Sequence, residues 1–104
     1  MSADKKAIRQ AFRDAVFGRD NNCCKKCGSN KGKLDVHHIT QRVDMPNGGY
    51  VKENGITLCA DCHEKAEEFY NTGLVIEGYT PNDLYKAIGS SVIEAIEASN
   101  RLDK

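Results

Sequence analysis

Apolar residues recur at spacings of three and four near the start of the chain, at Ala7, Ile8, Ala11, Phe12, Ala15 and Val16. That spacing predicts a helix over residues 4–17 with one apolar stripe, capped by Ser2 or Asp4 and ended by Gly18. Periodicity stops over residues 20–27. Residues 34–39 read as a short strand, and 56–58 as a second that pairs back on it. The loop between them, 41–55, carries turn chemistry in Pro46-Asn47-Gly48-Gly49. A helix is expected over 60–70 and a brief strand over 74–76. Thr80-Pro81 reads as an N-cap followed by proline at the first helical position, opening a helix that breaks at Gly89-Ser90 and resumes to about Leu102. The stripe Leu84, Ile88, Val92 and Ile96 reads as core packing in preference to a protein-interaction face.

These elements describe an α+β fold with flanking N- and C-terminal helices. No repeat, low-complexity tract or linker interrupts it. The expected organisation is one domain over residues 1–104, with a core over about 19–70 and flanking helices over about 4–17 and 81–102. A chain of this size buries a modest core. At 39% hydrophobic residues and no tryptophan, that core needs support.

The support is expected from cysteine. Of five cysteines, four form the pairs Cys24-x-x-Cys27 and Cys59-x-x-Cys62, about thirty residues apart. No secretory signal is visible and no apolar stretch approaches the ~20 residues that span a membrane. The expected compartment is therefore intracellular and reducing, cytoplasmic, where such pairs read as metal ligands and not as disulfides. Two residues between thiols let one turn present both sulfurs to one ion. Zn²⁺ takes four such ligands tetrahedrally, and a site with no open position is structural. Cys23 reads as a spare thiol. His37 is an alternative zinc ligand should Cys24 not serve.

The formal net charge is zero, but its distribution is not even. Residues 1–53 hold eleven Lys and Arg against six Asp and Glu; residues 54–104 hold four against nine. The two parts thus differ as +5 to −5. A basic face from the first part can meet phosphates while the acidic part faces away.

All three histidines fall near the cysteine pairs. His37 and His38 are adjacent on the first predicted strand, and His63 directly follows Cys62. Adjacent strand residues point to opposite sides, so the pair cannot both face one ion in a regular strand. A division of labour follows, one histidine binding a metal and the other aiming at a substrate.

Three stretches in this order carry a specific resemblance: Cys24-Lys-Lys-Cys27-Gly28, Leu34-Asp-Val-His37-His38-Ile39 and Asn54-Gly-Ile-Thr-Leu58-Cys59-Ala-Asp-Cys62-His63. With the lead-in Arg19-Asp20, they resemble the cysteine-bearing branch of the HNH endonuclease family over residues 19–67. The resemblance implies a ββα-metal fold, in which a hairpin and a helix grip a catalytic ion. It implies His37 and His63 as ligands of that ion, Mg²⁺ or Mn²⁺ in first place, and His38 as general base. It implies Asn54 as the brace that aims the base, and a backbone carbonyl on the other ring nitrogen of His38. The activity implied is hydrolysis of phosphodiester bonds, leaving 5′-phosphate and 3′-hydroxyl ends. The partner implied is DNA, with RNA the other nucleic acid the chemistry allows. Family members serve in phage packaging, restriction, homing and repair, so a phage-encoded protein in a host cell fits the compartment.

Other readings stand beside these. Asn54-Gly55 is also an ordinary turn dipeptide. Glu67 lies four residues after His63, where some relatives carry a metal-binding His; it is either a third ligand or a solvated side chain. Phosphate contacts are expected from Arg42 first, then from Lys25, Lys26 and Lys52, with Lys31 and Lys33 nearby. Tyr50 either stacks on a base or covers the hairpin. A chain this small reads few bases alone, so specificity calls for a protein partner, self-association or DNA structure. The contrasting function class is a zinc-stapled nucleic-acid-binding module without catalysis.

Overall fold

Two short strands pair antiparallel at the centre of the molecule, in a computed structural model that describes residues 2–102, with side chains over 5–102. The elements run α1 (Ser2–Arg19), β1 (Leu34–His38), β2 (Gly55–Cys59), α2 (Ala60–Thr72), α3 (Pro81–Ala87) and α4 (Val92–Asn100). The loop between the strands carries short 3₁₀ turns at Arg42–Asp44 and Lys52–Asn54, and between them Pro46–Gly49 kinks through Asn47 and Gly48 at φ 53° and 82°. This is the α+β arrangement expected, with a ββα core flanked by helices. No helix of the described residues is long and apolar enough to cross a membrane.

The hairpin register is continuous, with Leu34 opposite Cys59, His37 opposite Ile56 and His38 opposite Gly55. Alternation along each strand therefore assigns Asp35, His37, Ile56 and Leu58 to one face, and His38 and Gly55 to the other. The first face meets α2 and the core, where Ile39, Ile56, Leu58 and Leu84 are the largest fully buried aliphatic side chains, with Cys62, Ala66 and Ala95 around them. Tyr85 joins this cluster from α3, and Tyr79 packs against it. The second face meets α1.

Three expected features differ. Helix α1 does not stop at Gly18 but runs to Arg19, and the chain reverses through Asn21 and Asn22 at φ 57° and 54°. The caps expected from Ser2 or Asp4 lie outside the described side chains. The apolar stripe of α1 shrinks to Phe12 and Val16, since Ala7, Ala11 and Ala15 are exposed and Ile8 is 39% exposed. No strand forms at 74–76; Leu74 and Val75 lie exposed beyond Gly73, which ends α2 in the left-handed region and has no strand to pair with.

The C-terminal helices follow their start signals. Thr80 and Asp83 form a reciprocal capping box with Pro81 at the first position, and Ser91 caps α4 by accepting from Glu94 N. The Leu84–Ile96 stripe is split, however. Leu84 is buried and Ile88 half-buried, whereas Val92 and Ile96 are 44% and 37% exposed, because α4 turns Ala95, Ala98 and Ser99 inward instead. Small residues on that face let α4 approach the loop, where Asn47 Nδ2 donates to Ser99 O at 2.9 Å.

Candidate metal centres and the histidine cleft

The first cysteine pair sits in a turn closed by its own backbone. Cys24 N donates to Ser29 O at 2.8 Å and Gly28 N to Cys24 O at 2.8 Å. Gly28 adopts φ 80°, open to glycine at no steric cost. Lys25 N donates to Thr57 O, which ties this turn to β2 and so to the second pair at its end. Cys24, Cys27, Cys59 and Cys62 bring their sulfurs within 4.8 Å of one another, and Cys27 Sγ lies 3.6 Å from Cys59 Sγ. A tetrahedron with ~2.3 Å Zn–S bonds has edges of about 3.8 Å, so the cluster fits zinc. Cys23 stays outside it and donates its thiol to Asn21 O.

The thiols are unequal without a cation. Burial opposes ionisation of Cys24, but the amides of Cys27, Cys59 and Lys26 outweigh it and bring its pKa down to about 6. Burial and the neighbouring thiols push Cys62 up to about 12, although the Tyr79 hydroxyl at 3.2 Å favours its thiolate. Four thiolates this close need a cation to coexist.

On the core face of the hairpin, His37 is 3% exposed and meets two residues of α2. Glu67 Oε2 lies 3.2 Å from His37 Nδ1 and 3.2 Å from His63 Nε2. The two rings are 5.2 Å apart at 68°, and the ligand atoms of all three residues lie within 4.8 Å of one another. Asp35 Oδ2 lies 3.7 Å from the far nitrogen of His63. Helical spacing places Glu67 one turn below His63, and the hairpin register brings His37 over both. Burial pushes the His37 imidazole down to about 4 against the pull of Glu67, so it is neutral at physiological pH, the form that binds a metal.

His38 points the other way, as strand alternation requires. Its ring packs against Phe12 of α1 at 4.5 Å and the edge of Tyr50 at 5.0 Å. The carbonyl partner implied for its ring is not made among the described residues: Nε2 is buried without a partner, and the ring is fixed by packing. Burial, then the cation of Arg42, lowers its pKa to about 4. His38 is thus a neutral acceptor at physiological pH.

The two histidine faces meet at one opening. A cleft of about 430 Å³ is lined by His37, His63, Glu67 and Tyr70 and also by His38 and Arg42. The backbone just beyond β1 is held by Asn54, which is fully buried. Its Nδ2 donates to Thr40 O and Gly49 O at 3.1 and 3.2 Å. Its Oδ1 accepts from Thr40 N at 3.0 Å and from the Tyr85 hydroxyl at 2.7 Å. Gly55 is not a turn residue here but opens β2 at φ −129°. A Cβ on it would lie 2.7 Å from Val16 and 2.8 Å from Phe12, so it is the glycine that lets α1 reach His38.

The model of the HNH endonuclease family matches residues 24–69, which spans both metal clusters and the hairpin. Over residues 24–69 the chain is similar to an HNH domain. HNH domains act on nucleic acids, as nucleases or as binding modules. No curated protein and no solved structure matches the chain. Outside this stretch lie α1, which packs on His38, and α3, which braces Asn54.

The expected phosphate contacts divide. Arg42 lines the histidine cleft and donates to the Tyr50 hydroxyl at 3.0 Å. Lys25, Lys26 and Lys52 are not among the residues lining it; Lys26 Nζ lies over the Tyr79 ring at 5.4 Å, beside the cysteine cluster. The Tyr50 ring stands edge-on to Phe12 at 5.7 Å and to His38 at 5.0 Å. Sequence reasoning missed Asp35 and Tyr85, and left Glu67 open. The spacing of four from His63 was the one signal for Glu67; nothing local marks Tyr85, which is 31 residues from Asn54.

Proposed function

We propose that the protein is a metal-dependent endonuclease that hydrolyses phosphodiester bonds in DNA. The observation that carries this reading is the shared cleft, in which His37, His63 and Glu67 converge within 4.8 Å while His38 borders the same opening. Two imidazoles and a carboxylate would hold a divalent ion, and of the two ions expected, Mn²⁺ suits a pair of nitrogen donors better than Mg²⁺. When bound, that ion offsets the charge growing on the phosphate oxygens and the leaving 3′ oxygen.

The remaining work falls to the chain itself. His38, kept neutral by burial, accepts the proton of the attacking water. Arg42 meets a phosphate at the rim. Asn54 is a positioning residue: it fixes the turn after β1 and so the direction in which His38 aims. Asp35, near the far nitrogen of His63, selects the tautomer that leaves Nε2 free toward Glu67. Zinc on Cys24, Cys27, Cys59 and Cys62 joins the first knuckle to the start of α2 and replaces core that this chain lacks. The products expected are 5′-phosphate and 3′-hydroxyl ends, and the setting is intracellular.

The deciding experiment is incubation of supercoiled plasmid with the zinc-loaded protein, with and without Mg²⁺ or Mn²⁺. Nicked or linear product only with the added ion, and loss of it in His38→Ala, supports the reading. Binding without cutting in every divalent ion would replace it with the zinc-stapled binding module.

A further inference from the structure

Helix α1 is 18 residues long, yet Phe12 and Val16 are its buried side chains among those described. Both lie in its second half, against Gly55 and His38. The first half contributes little to the core, and its function is therefore to be sought on its surface.

Lys5, Arg9 and Arg13 follow one another at intervals of four residues, which puts them in one row on the helix. Two clefts run along that row. One, of about 380 Å³, is lined by Lys5, Arg9, Arg42 and Tyr50. The other, of about 190 Å³, is lined by Arg9, Arg13, Arg42, Tyr50 and His38. Arg9, Arg42 and Tyr50 line both, so the clefts adjoin, and Arg42 also lines the cleft of the histidines. Among the described residues, every charged side chain lining these two clefts, His38 aside, is a lysine or arginine. Arg13 is steadied over the Phe17 ring at 5.2 Å and Arg42 by the Tyr50 hydroxyl, so both cations are partly ordered without a carboxylate among the described residues.

We propose that Lys5, Arg9 and Arg13 of α1 form, with Arg42, a track for consecutive backbone phosphates of duplex DNA, leading the strand to His38. The row from Lys5 to Arg13 covers about 12 Å at ~1.5 Å per residue. That is the axial length of three to four base steps at about 3.4 Å each. Its cations meet phosphates rather than bases, so the track sets register and carries no sequence information. Among the described residues, the acidic C-terminal part of the chain contributes no side chain to the track's lining. The proposal rests on the endonuclease reading for its direction toward His38, but the binding surface stands on its own geometry.

The test is the double variant Arg9→Ala/Arg13→Ala, made also in a His38→Ala background so that labelled duplex is bound without being cut. Fluorescence anisotropy across a salt series should show affinity lowered about tenfold or more near physiological salt. The slope of log K against log salt should become shallower by about two, near 0.9 per phosphate released. Lys86→Ala removes an exposed charge on α3 and should change neither. Circular dichroism of the double variant should match the parent. Cleavage of a small diester, bis(4-nitrophenyl) phosphate, should be retained while KM for plasmid rises. Unchanged affinity and slope in the double variant overturn the track, as does equal damage from Lys86→Ala. The two readings separate cleanly. A parent that cuts nothing but loses salt-dependent binding in the double variant keeps the track and loses the nuclease. A parent whose cutting and binding survive the double substitution keeps the nuclease and loses the track.

Discussion

The Tyr85 hydroxyl donates to Asn54 Oδ1 at 2.7 Å, joining a helix outside the HNH-like stretch to its middle residue. The same hydroxyl lies 2.7 Å from Thr40 Oγ1. Asn54 in turn clasps the backbone of Thr40, two residues beyond His38. The backbone two residues beyond His38 is thus held by a chain Tyr85–Asn54–Thr40, every member of which is buried or half-buried.

Tyr85→Phe should therefore destabilise the protein and blunt its activity without touching either metal. Removing one partner from a buried acceptor costs about 1–3 kcal/mol. In a domain of this size each kcal/mol lowers Tm by about 4–8 °C. Thermal melting with metal analysis checks both halves. Asn54→Ala, which breaks four side-chain bonds, should cost more than Tyr85→Phe. A Tyr85→Phe variant with parental Tm and activity would show that the clasp does not depend on α3.

Zinc on the four thiolates should be held through dialysis at about one per chain, because its binding free energy is folding free energy. Cys59→Ser should release the ion and unfold the domain, measured by elemental analysis and circular dichroism. Cys23→Ser should be silent, since that thiol lies outside the cluster. Equal damage from both would mean the quartet is wrong.

Much of this was legible in the chain for a simple reason: local spacing fixes local geometry. Two residues between cysteines set a knuckle, and strand alternation alone separates His37 from His38. What was not legible depends on packing between distant segments. Alanines in α1 fit an apolar stripe as well as an exposed helix face, and only contact with the hairpin decides. Gly55 reads as a turn residue beside Asn54, whereas its role is to admit Phe12 and Val16. Residues 74–76 look like a strand but have no edge to pair with. The spacing of Glu67 from His63 gave the face, while the hairpin register was needed to bring His37 to it.

Acid should affect the two strand histidines alike. Both are held near pH 4 by burial, below the free value of 6.5. Folding thus favours their neutral forms; that stabilisation is complete above 6.5 and is lost as pH falls toward 4. The acid limb of kcat at saturating metal should accordingly lie below the ordinary histidine range. Arg42→Ala removes the cation that adds to the effect of burial on His38, so the limb should move upward in pH. Arg42→Lys keeps the charge and should leave it near the parent. A limb that does not move in Arg42→Ala would mean burial alone sets the base.

Ligand and base are separable by what each variant loses. His38→Ala should cut the rate by about 10²–10⁴-fold, the usual cost of one general base, and bind Mn²⁺ like the parent. His38 sits on the α1 face of β1, across the strand from the convergence of His37, His63 and Glu67. His63→Ala and Glu67→Ala should instead weaken Mn²⁺ binding, read by calorimetry, and recover activity as the ion is raised. His37→Ala should follow them, with a cost in stability as well, because it empties a buried position. Asp35→Asn should shift metal affinity by about 10–100-fold, since it acts through His63. If Glu67→Ala binds Mn²⁺ like the parent, the carboxylate only orients the two imidazoles. If His37→Ala keeps its ion while His38→Ala loses it, the two strand histidines exchange roles. If all of these variants bind and cut alike, the histidine cleft is not the place where the bond is broken.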